Sequence, residues 1–341
     1  MILFFVIVGL FVAGILSVGA LLSAPKYRGP VSDHFDGKQF INPGGVKANG
    51  FPEVVRWMMK REQGYWRQKA DAKFGERPVE RVERGIQITF VNHSTFLIQV
   101  DGLNIITDPV WSKRVSPFSW VGPKRMRPPG IRLEDLPPID IVMLSHNHYD
   151  HLDIRTLNLL KKFNPLFITP LGVKAFLDIE NFSNVHELDW WQEFFFKDLK
   201  VQSVPAQHFS GRGMLDRDAT LWCGFLIETR SGKIYFAGDT AYNEYTFKEI
   251  GERCKPDISI IPIGAYKPRW FMSPIHCSPE EAVKIHKDVN SSVSVASHFG
   301  TFPLADDSED DPVKDLHKAL KQQQVNEGSF VILEEGFGKN F

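Results

Sequence analysis

The sequence predicts an α/β protein in four layers, two β-sheets packed face to face with helices on both outer faces (αββα). From Ile86 the hydrophobic period changes to two, so "IQITFV", "TFLIQV" and "NIITD" read as successive strands with turns at Asn92-His93 and Asp101-Gly102. Further along, strands alternate with helices, and two half-chains that each open on hairpins and then alternate call for two sheets. The chain has 341 residues, 43% apolar and 12% aromatic, which is enough for one large core.

Taken in order, the first element is apolar. Met1–Ala24, "MILFFVIVGLFVAGILSVGALLSA", holds no charged side chain and has the length of a bilayer's hydrocarbon core. It lacks a basic leader, its best cleavage site (Val18-Gly19-Ala20) is poor, and Pro25 blocks cleavage after Ala24. An uncleaved transmembrane anchor is therefore expected. Lys26, Arg28 and Lys38 follow it with nothing basic before it, which places the rest of the chain on the cytoplasmic side. Residues 25–84 read as a connector packed on the main domain. The stretch is turn-rich ("PKYRGP", "NPGG"), with one amphipathic helix over Pro52–Lys73 that carries Val55, Met58, Met59 and Trp66 on one face.

Residues 85–341 form the main domain. After the hairpins and a strand ending at Leu144, strand-like runs are "PLFIT", "KVQSVPA", "LWCGFLIET", "KIYFAGD", "DISIIPI", "SVSVASH" and "SFVILEE". Helix-like runs are Ile154–Lys162, Gly172–Ile179, Tyr242–Gly251, Pro279–Asp288 and Pro312–Gln324. Pro279 with Glu280 and Glu281 makes a good helix start, because proline suits the first turn and carboxylates suit its partial positive charge. "LDWWQEFFF" reads as core packing, "GPKRMRPPG" as a solvated basic turn, and "ADDSEDD" as a solvated loop. Formal net charge is -1, which gives no sign of a nucleic-acid partner. Cys223, Cys254 and Cys277 are far apart and odd in number, so they read as free thiols.

One stretch carries the chemistry. "MLSHNHYDHLD" follows an apolar strand with His146, His148, Asp150 and His151, which cannot all face one side of a strand. They suit a tight loop where imidazoles and a carboxylate converge on cations. Further candidates sit at other strand ends: His208 after "VQSVPAQ", Asp239 after "KIYFAG" and His298 after "SVAS". Asp239 leaves a sharp turn after Gly238, a position from which its carboxylate could reach two metals. That is too many ligands for one tetrahedral ion and points to a dinuclear hydrolytic site.

The order HxHxDH…His…Asp…His resembles the metallo-β-lactamase superfamily, whose fold is the αββα sandwich. "TDPVWSKRVSP", "GPKRMRPPG", "PAQHFSGRG", "FAGDTAYN" and "SHFGTF" are further similar to the N-acyl-phosphatidylethanolamine-hydrolysing phospholipase D family and its bacterial relatives, over roughly Gly85 to Phe302. The resemblance implies that His146, His148 and His208 hold one zinc ion, that Asp150, His151 and His298 hold the second, and that Asp239 bridges. A zinc–iron pair or manganese is the alternative metal content. It further implies hydrolysis of N-acyl-phosphatidylethanolamine-like lipids to N-acylethanolamine and phosphatidic acid. Asp150, Asp239 and His276 would be catalytic, with His276 as a phosphate contact or acid, and His286 structural. A phospholipid substrate, a membrane and a homodimer are the partners expected. A lactonase, a nucleotide phosphodiesterase or a non-catalytic membrane-tethered binding protein are the competing readings.

Overall fold

The computed structural model describes residues 13–14 and 16–341. The first sheet runs in the order β14-β1-β2-β3-β4-β5-β6 and the second in the order β13-β12-β11-β10-β9-β8-β7. In the first, β1 (Ile86–Asn92), β2 (Thr95–Val100) and β3 (Leu103–Thr107) form an antiparallel meander. β4 (Ile141–Met143), β5 (Leu166–Pro170) and β6 (Val185–Leu188) then add in parallel. The second sheet repeats the scheme. β7 (Glu193–Phe196), β8 (Leu199–Val204), β9 (Gly224–Glu228) and β10 (Lys233–Phe236) are antiparallel. β11 (Ile258–Pro262), β12 (Val293–Ser297) and β13 (Phe330–Val331) continue in parallel, and β14 (Gly338–Asn340) returns to pair with β1.

Alternating apolar residues of both sheets meet in one core, with Ile88, Phe90, Ile98 and Ile105 from one face and Val201, Phe225, Phe236 and Ile260 from the other. Outside the first sheet lie α2 (Ile154–Leu160) and α3 (Val173–Ile179), which bury Leu157, Leu160 and Leu177 on it. Outside the second lie α4 (Glu244–Cys254), α6 (Pro279–Asp288) and α7 (Asp311–Gln322). α6 opens on the Ser278–Glu281 capping box, which satisfies two backbone N–H groups that the first turn leaves free. α1 (Phe51–Met59) and the short α5 (Arg269–Met272) sit beside the loops at one end. Because β1, β3 and β4 run in one direction in the first sheet, and β8, β10, β11 and β12 do so in the second, the carboxyl ends of β1, β3 and β4 share one edge of their sheet and those of β8, β10 and β12 share one edge of theirs.

Three expectations require correction. The first concerns the apolar N-terminal segment. Residues 1–12 and 15 of the expected anchor lie outside the described residues, and among the described residues no helix is long and apolar enough to cross a membrane. Its described end leaves the helix after Leu21 and is bound to the main domain. Met214 N donates to Gly19 O at 2.9 Å, Leu215 N to Ser23 Oγ at 3.0 Å, and Ala24 N to the buried Asp216 at 2.9 Å. Residues held by backbone bonds to protein are not a bilayer span. The membrane-anchored localisation falls with it. So do the expected partners, a phospholipid, a membrane and a homodimer: among the described residues no helix spans a bilayer, the Gly19–Ala24 stretch that would lead out of one is committed to protein, and the described residues give no support for a second copy.

The second correction is α1, which stops at Met59 rather than Lys73. From there the chain is extended, because backbone bonds tie it to distant loops: Gly64 N to Asp306 O, Lys69 N to Met126 O, and Gly75 N to Gly130 O. The half-buried face of α1 is Val54 and Trp57, while Val55, Met58 and Met59 are exposed. Third, the "GPKRMRPPG" turn is not solvated at its centre. Arg125 is buried over the Phe302 ring and donates to Asn92 Oδ1, Val110 O and Ser112 O. Burial brings its guanidinium down to about 9.

Candidate metal centre

The HxHxDH stretch leaves β4 through Ser145 and closes a tight turn, with His151 N and Leu152 N both donating to His148 O (3.1 and 2.8 Å). Arg212 braces it from outside, donating to Asn147 O and Leu152 O at 2.7 and 3.0 Å. His208 follows β8, Asp239 follows β10 and His298 follows β12. Gly238, just before Asp239, has φ +61°, and a Cβ there would lie 2.7 Å from Ser145 Cβ. Only glycine allows both the turn and this close approach. His298 (φ 59°), His93 (φ 48°) and Asp108 (φ 34°) are non-glycine residues in the left-handed region. Such backbone costs about 1–3 kcal/mol each and persists where the surroundings impose it, commonly at functional sites.

The side chains form two groups. In one, His146 Nε2 is 2.8 Å from His148 Nδ1, which is 3.3 Å from His208 Nε2. Their other nitrogens are occupied where the structure shows a partner: His146 Nδ1 meets Ser145 Oγ at 2.9 Å and His208 Nδ1 meets Ile275 O at 2.8 Å. In the second group, Asp150 Oδ2 lies 3.4 Å from His151 Nε2, 3.5 Å from His298 Nε2 and 3.0 Å from His93 Nε2. Asp239 stands between the groups. Its Oδ2 is 3.0 Å from His298 Nε2, 3.2 Å from His151 Nε2, 3.8 Å from His208 Nε2 and 3.9 Å from His276 Nδ1.

Burial dominates the titration of the three-histidine group. It lowers His148 to about 3, His208 to about 4 and His146 well below the ordinary imidazole value, so their lone pairs stay free. Burial also pushes His151 and His298 down, but carboxylates outweigh it. Asp239, Asp150 and Asp108 hold His151 well above its ordinary value, and Asp239 with Asp150 brings His298 to about 9. Conversely, burial raises the Asp150 and Asp239 carboxyls less than the neighbouring histidines lower them, and both stay ionised.

Metal ions fit this arrangement. His151 Nε2, Asp239 Oδ1, His276 Nδ1 and His298 Nε2 are buried without a hydrogen-bond partner. Orphaned polar atoms are expensive in a protein interior, and here they converge. Groups of three or four potential ligand atoms lie within 4.8 Å of one another, both in the three-histidine group and around Asp150, His151 and His298. The chain carries a dinuclear metal-binding site of nitrogen and oxygen donors, a set that suits zinc, iron or manganese.

A sequence profile described as "Beta-lactamase superfamily domain" matches residues 103–299. The chain belongs to the metallo-β-lactamase superfamily. It is 38% identical over 270 residues to the N-acyl-phosphatidylethanolamine-hydrolyzing phospholipase D 1 of Caenorhabditis elegans, covering 74% of this chain and 75% of the worm protein. It is 37% identical over 227 residues to the mitochondrial N-acyl-phosphatidylethanolamine-hydrolyzing phospholipase D of Saccharomyces cerevisiae, covering 64% of this chain but 48% of the yeast protein. Among solved structures, isothiocyanate hydrolase from Delia radicum gut bacteria superposes with a TM-score of 0.61 at 22% identity, over 75% of this chain and 99% of that one. That likeness concerns the fold alone. With its clustered ligands, the chain is a metal-dependent hydrolase of this superfamily.

All seven expected metal ligands come together in this superfamily centre, and His276 joins them, its ring 5.0 Å from that of His208. His286 stands apart on α6, bonded to Ser294 Oγ at 2.8 Å. Two participants escaped the sequence reading. Asp108 is wholly buried; it accepts from Ser145 N and Ser145 Oγ (2.7 and 2.6 Å) and faces His151 Nδ1 at 2.7 Å, which turns Nε2 into the site. His93 holds Asp150 and takes part in stitching two loops together, since His298 N donates to His93 O at 2.8 Å. Both stand at strand carboxyl ends, as the expected ligands do, and that shared placement was the available signal. "NH" resembled a plain turn and "TD" a strand terminus.

Proposed function

We propose that the centre hydrolyses phosphodiesters with the bond choice of a phospholipase D, using two zinc ions. His146, His148 and His208 would hold one, Asp150, His151 and His298 the other, and Asp239 both. The observation that carries this reading is Asp239 Oδ2, a single carboxylate oxygen within 3.0–3.8 Å of ligand nitrogens from both groups. The similarity to the worm and yeast phospholipases supports the choice of phosphodiester. When bound, such a pair of cations supplies activated water and a clamp on the phosphoryl oxygens.

The chain's own residues do the rest. Asp108 and Ile275 O fix the rings of His151 and His208, so no reorganisation is needed when charge develops. A cavity of about 400 Å³ opens over His148 and Asp150. Its wall combines Val115, Phe209 and Leu304 with Arg212 and Arg217, apolar surface for the substrate's body and guanidinium charge for an anionic diester. His276 Nδ1, unpartnered beside Asp239, is positioned to hydrogen-bond a phosphoryl or leaving oxygen.

The test is turnover of bis(4-nitrophenyl) phosphate, followed by product analysis on the water-soluble diester glycerophosphoethanolamine, where ethanolamine and glycerol phosphate mark the expected cut. Lactone hydrolysis without phosphodiester turnover would replace this reading with that of a lactonase. Protein purified without chelator should approach two metal equivalents; a constant single equivalent after adding zinc would overturn the two-ion assignment. His276→Ala should slow turnover about 10²-fold, whereas an unchanged rate would make His276 a packing residue.

A further inference from the structure

We infer that Asn42, far from every ligand in sequence, is a positioning residue that holds the backbone of His208 and thereby sets the affinity of the three-histidine half of the centre. The inference rests on the reading that His208 is a metal ligand. His208 lies beyond the end of β8, where no strand ladder is available for its backbone groups. The Asn42 side-chain amide takes both. Oδ1 accepts from His208 N at 2.9 Å, and Nδ2 donates to His208 O at 2.8 Å. An amide has two donor hydrogens and two acceptor lone pairs. The remaining pair is also engaged, Oδ1 accepting from Trp222 Nε1 at 2.9 Å and Nδ2 donating to Val46 O at 3.0 Å.

Asn42 is itself held in place. Phe35 and Phe40, a few residues before it, are buried against Ala206, Leu221 and Trp222, and Phe40 N donates to Asp218 O at 2.7 Å. This ties the segment before the main domain to the same stretch of chain that presents His208. With the ring fixed at Nδ1 by Ile275 O, the backbone clamp leaves His208 Nε2 one position relative to His146 and His148. Groups that orient a ligand from behind commonly change metal affinity 10–100-fold when removed. No other side chain fits the position as well. Aspartate would set a carboxylate against two carbonyl oxygens, and alanine would leave a buried N–H and C=O unpaired.

The experiment measures stepwise zinc dissociation constants of the full-length protein by competition with a chromophoric chelator. Asn42→Ala is expected to weaken one of the two zinc equivalents about 10–100-fold and to leave the other unchanged. Asn42→Asp, nearly isosteric, should weaken the same equivalent and decides the matter if Asn42→Ala does not fold. Trp222→Phe gives up the bonds from Nε1 to Asn42 Oδ1 and to Ala206 O but keeps the clamp on His208, so it should lower the melting temperature and leave both constants unchanged. Wild-type constants in both Asn42 variants, with one equivalent lost in His208→Ala, would overturn the inference. Equal weakening of both equivalents in the Asn42 variants and in Trp222→Phe would overturn it too, by making the role one of general packing. Unchanged constants in His208→Ala would instead overturn the ligand reading on which it rests.

Discussion

Asp239→Asn is expected to cut turnover of a soluble phosphodiester by about 10³-fold or more while the protein stays folded. The amide keeps the shape of the side chain and removes one negative charge from the point where four histidines converge, His298 at 3.0 Å, His151 at 3.2 Å, His208 at 3.8 Å and His276 at 3.9 Å. Electrostatic groups of this kind commonly supply about 3–4 kcal/mol of barrier lowering, and a bridging carboxylate acts on two cations at once. Bound metal should fall below two equivalents. Asp239 is also the largest source of the upward pull on His151 and His298, so in the metal-free variant both rings should titrate at lower pH than in the wild type. The measurements are kcat, metal content and the circular dichroism of the same preparation. A well-folded variant with wild-type turnover would move the bridge to another residue.

Asp108→Asn is expected to be the most damaging change that leaves every metal-facing side chain in place. Asp108 is fully buried and ends β3 in a left-handed conformation, where its two oxygens serve Ser145 N, Ser145 Oγ and His151 Nδ1. Burial raises its pKa, an opposing effect that the His151 charge and these hydrogen bonds reduce without reversing. An amide turns one acceptor into a donor, so either Ser145 or His151 meets N–H against N–H. Removing one member of such a buried pair costs about 3–5 kcal/mol, and metal affinity should fall about 10–100-fold because His151 loses its orienting partner. Denaturant melts of the metal-free protein and zinc competition measure the two effects separately. A variant matching the wild type in both would show that the ring of His151 is held by its packing alone.

The parts of this protein legible in its sequence are those with short-range causes. Runs such as "TFLIQV" are legible as strands because β-branched and aromatic side chains within a few positions of one another suit a pleated backbone. Pro279 with two glutamates starts α6 where expected, because first-turn capping involves residues a few positions apart. The HxHxDH cluster announces itself because so many ligands in one loop have no cheaper explanation. β6, β7 and β14 were less legible: short edge strands pair on one side only, and Phe195 at the surface of β7 breaks any clear alternation.

What the tertiary structure alone decided are matters of partner choice across long separations. α1 ends at Met59 because the following backbone finds acceptors at Met126, Gly130 and Asp306, which local propensity does not register. Arg125 is interior because Asn92, Val110 and Ser112 happen to offer three acceptors in one place. The Gly19–Ala24 stretch is apolar enough to suggest lipid, yet its backbone is claimed by Met214 and Asp216, and its Ser23 hydroxyl by Leu215 N, nearly two hundred residues away. Composition reports how hydrophobic a segment is and is silent on which surface its N–H and C=O groups will meet. The same holds inside the centre. The sequence by itself determined which residues are chemically able to bind metal. Folding decided that Asp108, His93 and Asn42 would stand behind them, because a supporting hydrogen bond is defined by geometry in space and leaves no spacing to read along the chain.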